Sequence, residues 1–134
     1  MDQATARRRL TQAPVGRLAT VTREGRPHLV PCCFAVDGDW IYTAVDAKPK
    51  STLALRRLEN IRAHDGVALL VDAYDEDWSD LWWVRVDGTA EIWESGPRRR
   101  EALALLAAKY RQYREKVPPG PVIAVAVTGW RSWP

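Results

Sequence analysis

The residues with the most chemistry in them lie together in one decapeptide, Thr43-Ala44-Val45-Asp46-Ala47-Lys48-Pro49-Lys50-Ser51-Thr52. A strand-like run, Trp40 to Val45, gives way to a loop carrying two lysines, and a helix pattern follows at once with two hydroxyl residues. Unpaired N–H groups at a helix start, joined by ammonium and hydroxyl donors, are what a phosphate takes. Cations beside a helix N-terminus are unfavourable by about 0.3–1 kcal/mol unless an anion compensates them. The same residues also suit a solvated loop whose Ser51 or Thr52 merely caps the helix, and the local sequence does not choose between the two accounts.

Other reactive residue types are sparse. Cys32 and Cys33 are adjacent in an apolar run. Neighbouring strand residues point to opposite faces, so the two cannot bridge well, and without spaced partners they make no zinc site. They read as small buried hydrophobes. His28 opens a strand and His64 ends a helix, which are structural positions for each. There is no Gly-rich phosphate loop, no G-x-S-x-G and no paired histidines, and no acid–base residue stands out.

Sixteen arginines against four lysines give a net charge of +3, clumped at Arg7-Arg8-Arg9, Arg56-Arg57 and Arg98-Arg99-Arg100. The last triplet sits at a helix start, where an anion or the acidic 75–80 loop of another subunit would be welcome. The three clumps fall on three separate helices, which argues against a nucleic-acid stripe. Seven tryptophans suit core and interface packing, and Trp78, in the loop beside the acidic run, is the exception that suits a site.

These groups need a frame, and 134 residues are enough for one domain, 1–134. No apolar run approaches the ~20 residues needed to span a bilayer. No apolar stretch follows the first basic residues either, so an intracellular, cytoplasmic protein is expected. Residues 4–12 suit a short helix. Strands are predicted over 15–22, 28–36, 40–45, 67–74, 81–93 and 122–130, with helices over 51–62 and from 97 to about 114. Gly88 marks a bend or bulge. The 28–36 strand is apolar throughout, so both of its faces should be covered, and a homodimer would cover the second. Six mostly antiparallel strands with two interrupting helices predict a mainly β fold, a six-stranded barrel.

Four segments then carry a resemblance: G-R-L-A-T-V (16–21), G-R-P-H-L-V-P (25–31), Y-T-A-V-D-A-K-P-K (42–50) and V-D-x-Y-D-E-D-W (71–78). In this order they resemble the pyridoxamine-5′-phosphate-oxidase-like flavin split-barrel family. Within it, the chain is most similar to the branch of small F420-dependent oxidoreductases. The resemblance runs over about residues 10–133 and implies an FMN-binding type of split β-barrel. It also implies a homodimer with the cofactor at the interface.

By that resemblance Lys48, Lys50 and Ser51, with Thr52 adjoining, hold the cofactor phosphate. Val30, Pro31 and Cys32 line the isoalloxazine-like ring through their backbone, and Thr43 and Ala44 belong to the neighbouring strand. Trp78 matches an aromatic that the partner contributes. The family's typical FMN-binding oxidases carry Arg-Lys at the phosphate segment and a further C-terminal Arg-containing segment. Here the phosphate segment reads Lys-Pro-Lys and the sequence stops at Pro134. F420, a 5-deazaflavin with a phosphodiester and an oligoglutamate tail, would be drawn along Lys48, Lys50 and Arg56, whereas Arg57 reads as a solvated helix face.

The leading expectation is therefore an F420-dependent oxidoreductase passing hydride between the reduced deazaflavin and a small organic acceptor. An FMN-binding oxidase or reductase is the alternative within the family. A non-catalytic carrier of flavin, F420 or haem is the alternative outside catalysis. No metal, nucleic acid or membrane enters any of these readings.

Overall fold

The computed structural model describes residues 1–45 and 52–134. Among these the chain runs α1 (Gln3–Gln12), β1 (Gly16–Val21), β2 (Pro27–Cys32), β3 (Ala35–Asp37), β4 (Trp40–Ala44), α2 (Thr52–Ala63), β5 (Gly66–Ala73), β6 (Trp82–Trp93), α3 (Pro97–Lys109), α4 (Arg111–Glu115) and β7 (Val122–Trp133). A single 3-10 turn, Trp78–Asp80, bridges β5 to β6. All strands belong to one sheet of order β2-β1-β5-β6-β7-β4-β3, and every pairing is antiparallel. β2 and β3 are its two edges although they follow each other in sequence, which makes the barrel split.

Seven strands replace the six predicted, because residues 28–36 form two strands rather than one. At the break, side chains take the backbone groups that a ladder would use. The Tyr110 hydroxyl accepts from Phe34 N at 3.0 Å and lies 3.1 Å from Phe34 O, while Thr43 Oγ1 donates to Cys33 O at 2.8 Å. The same segment is not covered on both faces within one chain. β2 is an edge strand with alternating exposure, and Leu29 is 67% exposed. The helix predicted from 97 to about 114 is also divided. Tyr110 adopts an extended backbone (φ −117°, ψ 116°) between α3 and α4, which turns its hydroxyl onto the β2–β3 break.

β5 to β7 form the long centre of the sheet. Along β6, Val84, Val86 and Ala90 are buried and alternate with half-buried or exposed Arg85, Asp87, Thr89 and Glu91. The irregularity expected at Gly88 is present. The β6–β7 register slips between Asp87 and Gly88, and Thr128 is the extra residue on the opposite strand. The interior is filled by Leu10, Leu18, Phe34, Ile41, Val71, Val84 and Val86, with α1 closing one end through Ala6 and Leu10. A second cluster packs Leu103 and Leu106 of α3 onto Tyr42, Val122 and Ala124.

The helix α2 is tied to the sheet by Leu58 and Ile61, which are buried, and by a buried hydrogen bond in which Asn60 Nδ2 donates to Thr20 Oγ1 at 3.0 Å. That docking sets the rotation of the helix and decides which of its arginines faces the barrel. No helix among the described residues is long and apolar enough to cross a membrane.

Candidate functional site

Where the barrel is split, β2 ends at Cys32 and β4 ends at Ala44, and Arg57 of α2 reaches the same place. Between them is a cavity of about 270 Å³ lined by Val15, Pro31, Cys32, Cys33, Thr43, Ala44, Arg57 and Tyr113. A larger concavity of about 790 Å³ exists around Arg62, His64 and Glu94. It is an open groove whose Arg62 and Glu94 are already paired at 3.6 Å, so the smaller cavity, where Arg57 Nε has no acceptor among the described residues, is the better candidate.

Four of the sequence-predicted residues, Pro31, Cys32, Thr43 and Ala44, are thereby brought together although they come from two strands. Val30 is half-buried on β2 next to them but does not line the cavity. Lys48, Lys50 and Ser51 lie outside the described residues, and Thr52 is the first residue of α2. Trp78 is 75% exposed on the β5–β6 connection and is no part of this cavity.

The arginine pair is divided by the docking of α2. Arg56 is exposed, whereas Arg57 is half-buried and lines the cavity. Arg57 Nε is shut off from solvent and has no hydrogen-bond acceptor among the described residues. Two arginines adjacent in sequence lie about 100° apart around a helix, and the docking of α2 overturns the reading of Arg57 as a solvated helix face. Leaving a buried charged donor unsatisfied is costly, and an anionic group in the cavity would remove that cost.

A second cation stands close by. Lys109, at the end of α3, places its Nζ 3.9 Å from the Phe34 ring centroid and 5.2 Å from that of Tyr110. Like Arg57 Nε, this atom is inaccessible and has no acceptor among the described residues. Burial pulls the Lys109 ammonium below its ordinary range, against the opposing pull of Cys33 and Cys32. Nothing in the local pattern marks Lys109, which only the folded chain sets behind the cavity wall.

Burial pushes the Cys32 thiol up to about 11, although Thr43, Arg57 and Lys109 each act in the opposite direction. A thiol with that pKa is almost wholly protonated at pH 8, and thiolate is the reactive form. Both cysteines are free, with Cys32 buried and Cys33 half-buried on the cavity. A thiol reagent such as iodoacetamide should therefore modify at most one equivalent per folded chain, on Cys33, and two in urea. Rapid modification of Cys32 in the folded protein, read by peptide mass spectrometry, would contradict this placement.

Two residues of the Arg98–Arg100 triplet find partners within the chain. Arg98 stacks over Trp93 at 4.0 Å and over Trp40 at 5.0 Å, and Arg99 donates to the Gly120 carbonyl at 2.9 Å. Aromatic faces and loop carbonyls supply negative potential to these two side chains.

Comparison with known proteins places this geometry in context. The family model for pyridoxamine 5′-phosphate oxidase matches residues 3–134. Over 88 residues the chain is 34% identical to a 5a,11a-dehydrotetracycline/5a,11a-dehydrooxytetracycline reductase of Streptomyces rimosus. That match takes in 63% of this chain and 59% of the reductase, so the chain spans about three fifths of this curated relative. Among solved structures, the conserved hypothetical protein Rv2991 of Mycobacterium tuberculosis superposes with a TM-score of 0.81 at 22% identity, covering 99% of this chain and 84% of that one. A FAD-binding protein of Mesorhizobium loti superposes with a TM-score of 0.75 at 20% identity, over 98% and 94% of the two chains. At such identities the two structures speak for the fold.

Proposed function

The chain belongs to the pyridoxamine 5′-phosphate oxidase family, and on that premise we propose that it is an oxidoreductase that binds the deazaflavin F420 at the split of the barrel and passes hydride to or from a small organic acceptor. The observation that carries the reading is Arg57 Nε, a buried guanidinium donor without an acceptor among the described residues, on a cavity walled by Pro31, Cys32, Thr43 and Ala44. Those residues suit an anionic, ring-bearing cofactor. The reductase relative supports reduction as the direction of the chemistry, with an unsaturated carbonyl compound as one class of acceptor to test.

When bound, F420 would supply hydride transfer, and the chain's own residues bind, orient and exclude water. The strand ends at Pro31–Cys32 and Thr43–Ala44 present backbone and small side chains to a flat ring. Lys48, Lys50, Ser51 and Thr52 take the phosphate, and the exposed Arg56 extends the basic path towards glutamate carboxylates. A second copy of the chain completes the site and brings Trp78 to it. The exposed Leu29, Tyr74, Trp78 and Trp133 support such an association, since apolar surface of this kind is seldom left in water.

Titration of the purified protein with F420 and with FMN, followed by ligand fluorescence, tests the cofactor. F420 should bind at least about tenfold tighter, a difference of ~1.4 kcal/mol. Light scattering of the same sample should give twice the 15.2 kDa chain mass. Tighter binding of FMN would move the protein to the FMN-dependent members of the family. Binding of F420, FMN or haem without hydride transfer to any of a panel of acceptors would make it a carrier.

A further inference from the structure

Three residues that line the cavity, Val15, Cys33 and Tyr113, have no role in the account so far. They come from three separate segments, the entry to β1, the β2–β3 break and α4, and one side chain joins all three. The Tyr110 hydroxyl accepts from Phe34 N at 3.0 Å, and its single proton is shared between Pro14 O at 2.9 Å and Phe34 O at 3.1 Å. Pro14 precedes Val15 and Phe34 follows Cys33, so each bond fixes the backbone next to a lining residue. The third tie is between rings, since Tyr110 and Tyr113 meet edge to face with centroids 5.6 Å apart. Tyr113 is also the one residue of α4 that is not exposed. Burial pushes the Tyr110 hydroxyl up to about 12, so at neutral pH it keeps the proton it donates. Packing does not call for that hydroxyl, because Leu103 and Leu106 already dock α3 and a phenylalanine ring would fill the same space. From the other flank Thr43 Oγ1 holds Cys33 O at 2.8 Å. A wall held in this way is formed before anything binds, which lowers the cost of binding.

We propose that Tyr110 is a positioning residue of the site, whose hydroxyl clamps Val15, Cys33 and Tyr113 into one preformed wall on which the flat ring of the cofactor packs. The inference rests on the cofactor reading above. Val15 and Tyr113 bring apolar and aromatic surface without charge, which suits a ring face rather than a phosphate. The anionic part of the ligand is left to Arg57 in the same cavity. Tyr110 does not itself line the cavity and acts only through the three residues it holds.

The test is Tyr110→Phe, which removes one oxygen and keeps the ring beside Tyr113. Four ligands are titrated by fluorescence well below the melting temperature: FMN and its phosphate-free counterpart riboflavin, and F420 and its phosphate-free deazariboflavin. Tyr110→Phe should weaken each ligand that wild type binds by about tenfold, the phosphate-free forms as much as the others. The salt dependence of FMN or F420 binding should stay as in wild type, because the cations are untouched. In the ligand-free protein iodoacetamide should alkylate Cys33 several-fold faster, since the backbone beside it has lost its anchor. Val71→Ala, which opens a void in the core on β5, controls for lost stability. It should lower Tm at least as far, yet leave the affinities and the Cys33 rate within about twofold of wild type. Wild-type affinity for the phosphate-free rings in Tyr110→Phe, or losses that Val71→Ala reproduces, would overturn the proposal and leave Tyr110 a packing residue. Wild type that binds none of the four ligands would overturn the underlying cofactor reading instead. In that case an unchanged Cys33 rate in Tyr110→Phe would overturn the clamp as well, and a faster one would uphold it.

Discussion

Gly88→Ala should lower the stability of this protein by about 2–3 kcal/mol, the range for forcing extra volume into a packed interior. For a chain of this size that corresponds to a fall of about 10 °C in Tm. Gly88 lies where β6 and β7 slip register, and the backbones approach closely there. A Cβ at this position would meet the Ala126 carbonyl oxygen at 2.5 Å and Val125 Cγ1 at 2.6 Å. The first of these is main chain held in the ladder, so it cannot rotate away as a side-chain tip would. Relief requires the two central strands to part, and β7 also carries β4 and with it one wall of the cavity. Gly129 supplies the control. It pairs with Asp87 on the same bulge, but a Cβ there would come no nearer than 3.9 Å to the Asp87 carboxylate. Gly129→Ala should melt within about 2 °C of wild type, well under 1 kcal/mol. Equal melting temperatures for the two variants would show that the close approach at Gly88 does not exist in solution.

Arg57→Glu should have the largest effect on cofactor binding. A charge-assisted hydrogen bond to an anion contributes roughly 1.5–3 kcal/mol, so Arg57→Ala should weaken F420 or FMN by about one to two powers of ten. Charge reversal adds repulsion to that loss and should bring binding below detection at micromolar ligand. The fold should survive either change, because among the described residues Arg57 Nε makes no hydrogen bond that substitution would break. Leu58, Ile61 and the Asn60–Thr20 bond would still dock the helix. Raised salt should weaken the wild type more than Arg57→Ala, since only the former gains from the attraction that salt screens. Arg56→Ala should act differently. Arg56 is exposed and reaches solvent, so its loss should weaken F420, with its glutamate tail, more than FMN. Full affinity in Arg57→Glu, measured by the same titration, would take the anion out of this cavity altogether.

Much of the architecture follows from local pattern. Alternation along Trp82–Trp93 marks a strand buried on one face, the Leu58 and Ile61 spacing marks the inward stripe of a helix, and Gly88 interrupts its strand where a bulge forms. These features depend on the period of a single element, 2 or 3.6 residues, and that period is written in consecutive residues. The grouping of Pro31, Cys32, Thr43 and Ala44 around one cavity was anticipated only through the family resemblance, which matched residues of two strands to one ring.

What only the tertiary structure decided concerns partners far apart in the chain. The strand predicted over 28–36 divides because Tyr110, 76 residues beyond Phe34, takes that residue's backbone groups. No residue near Phe34 announces this. Arg57 rather than Arg56 faces the cavity because Asn60 finds Thr20 across 40 residues and so sets the rotation of α2. Arg98 and Arg99 meet tryptophan faces and loop carbonyls, and Lys109 meets Phe34, only once α3 has packed against the sheet. Periodicity determines which side of an element is apolar. Which distant donor, acceptor or ring then satisfies a given polar group is settled by how the elements dock, since that depends on shapes and distances no single segment contains.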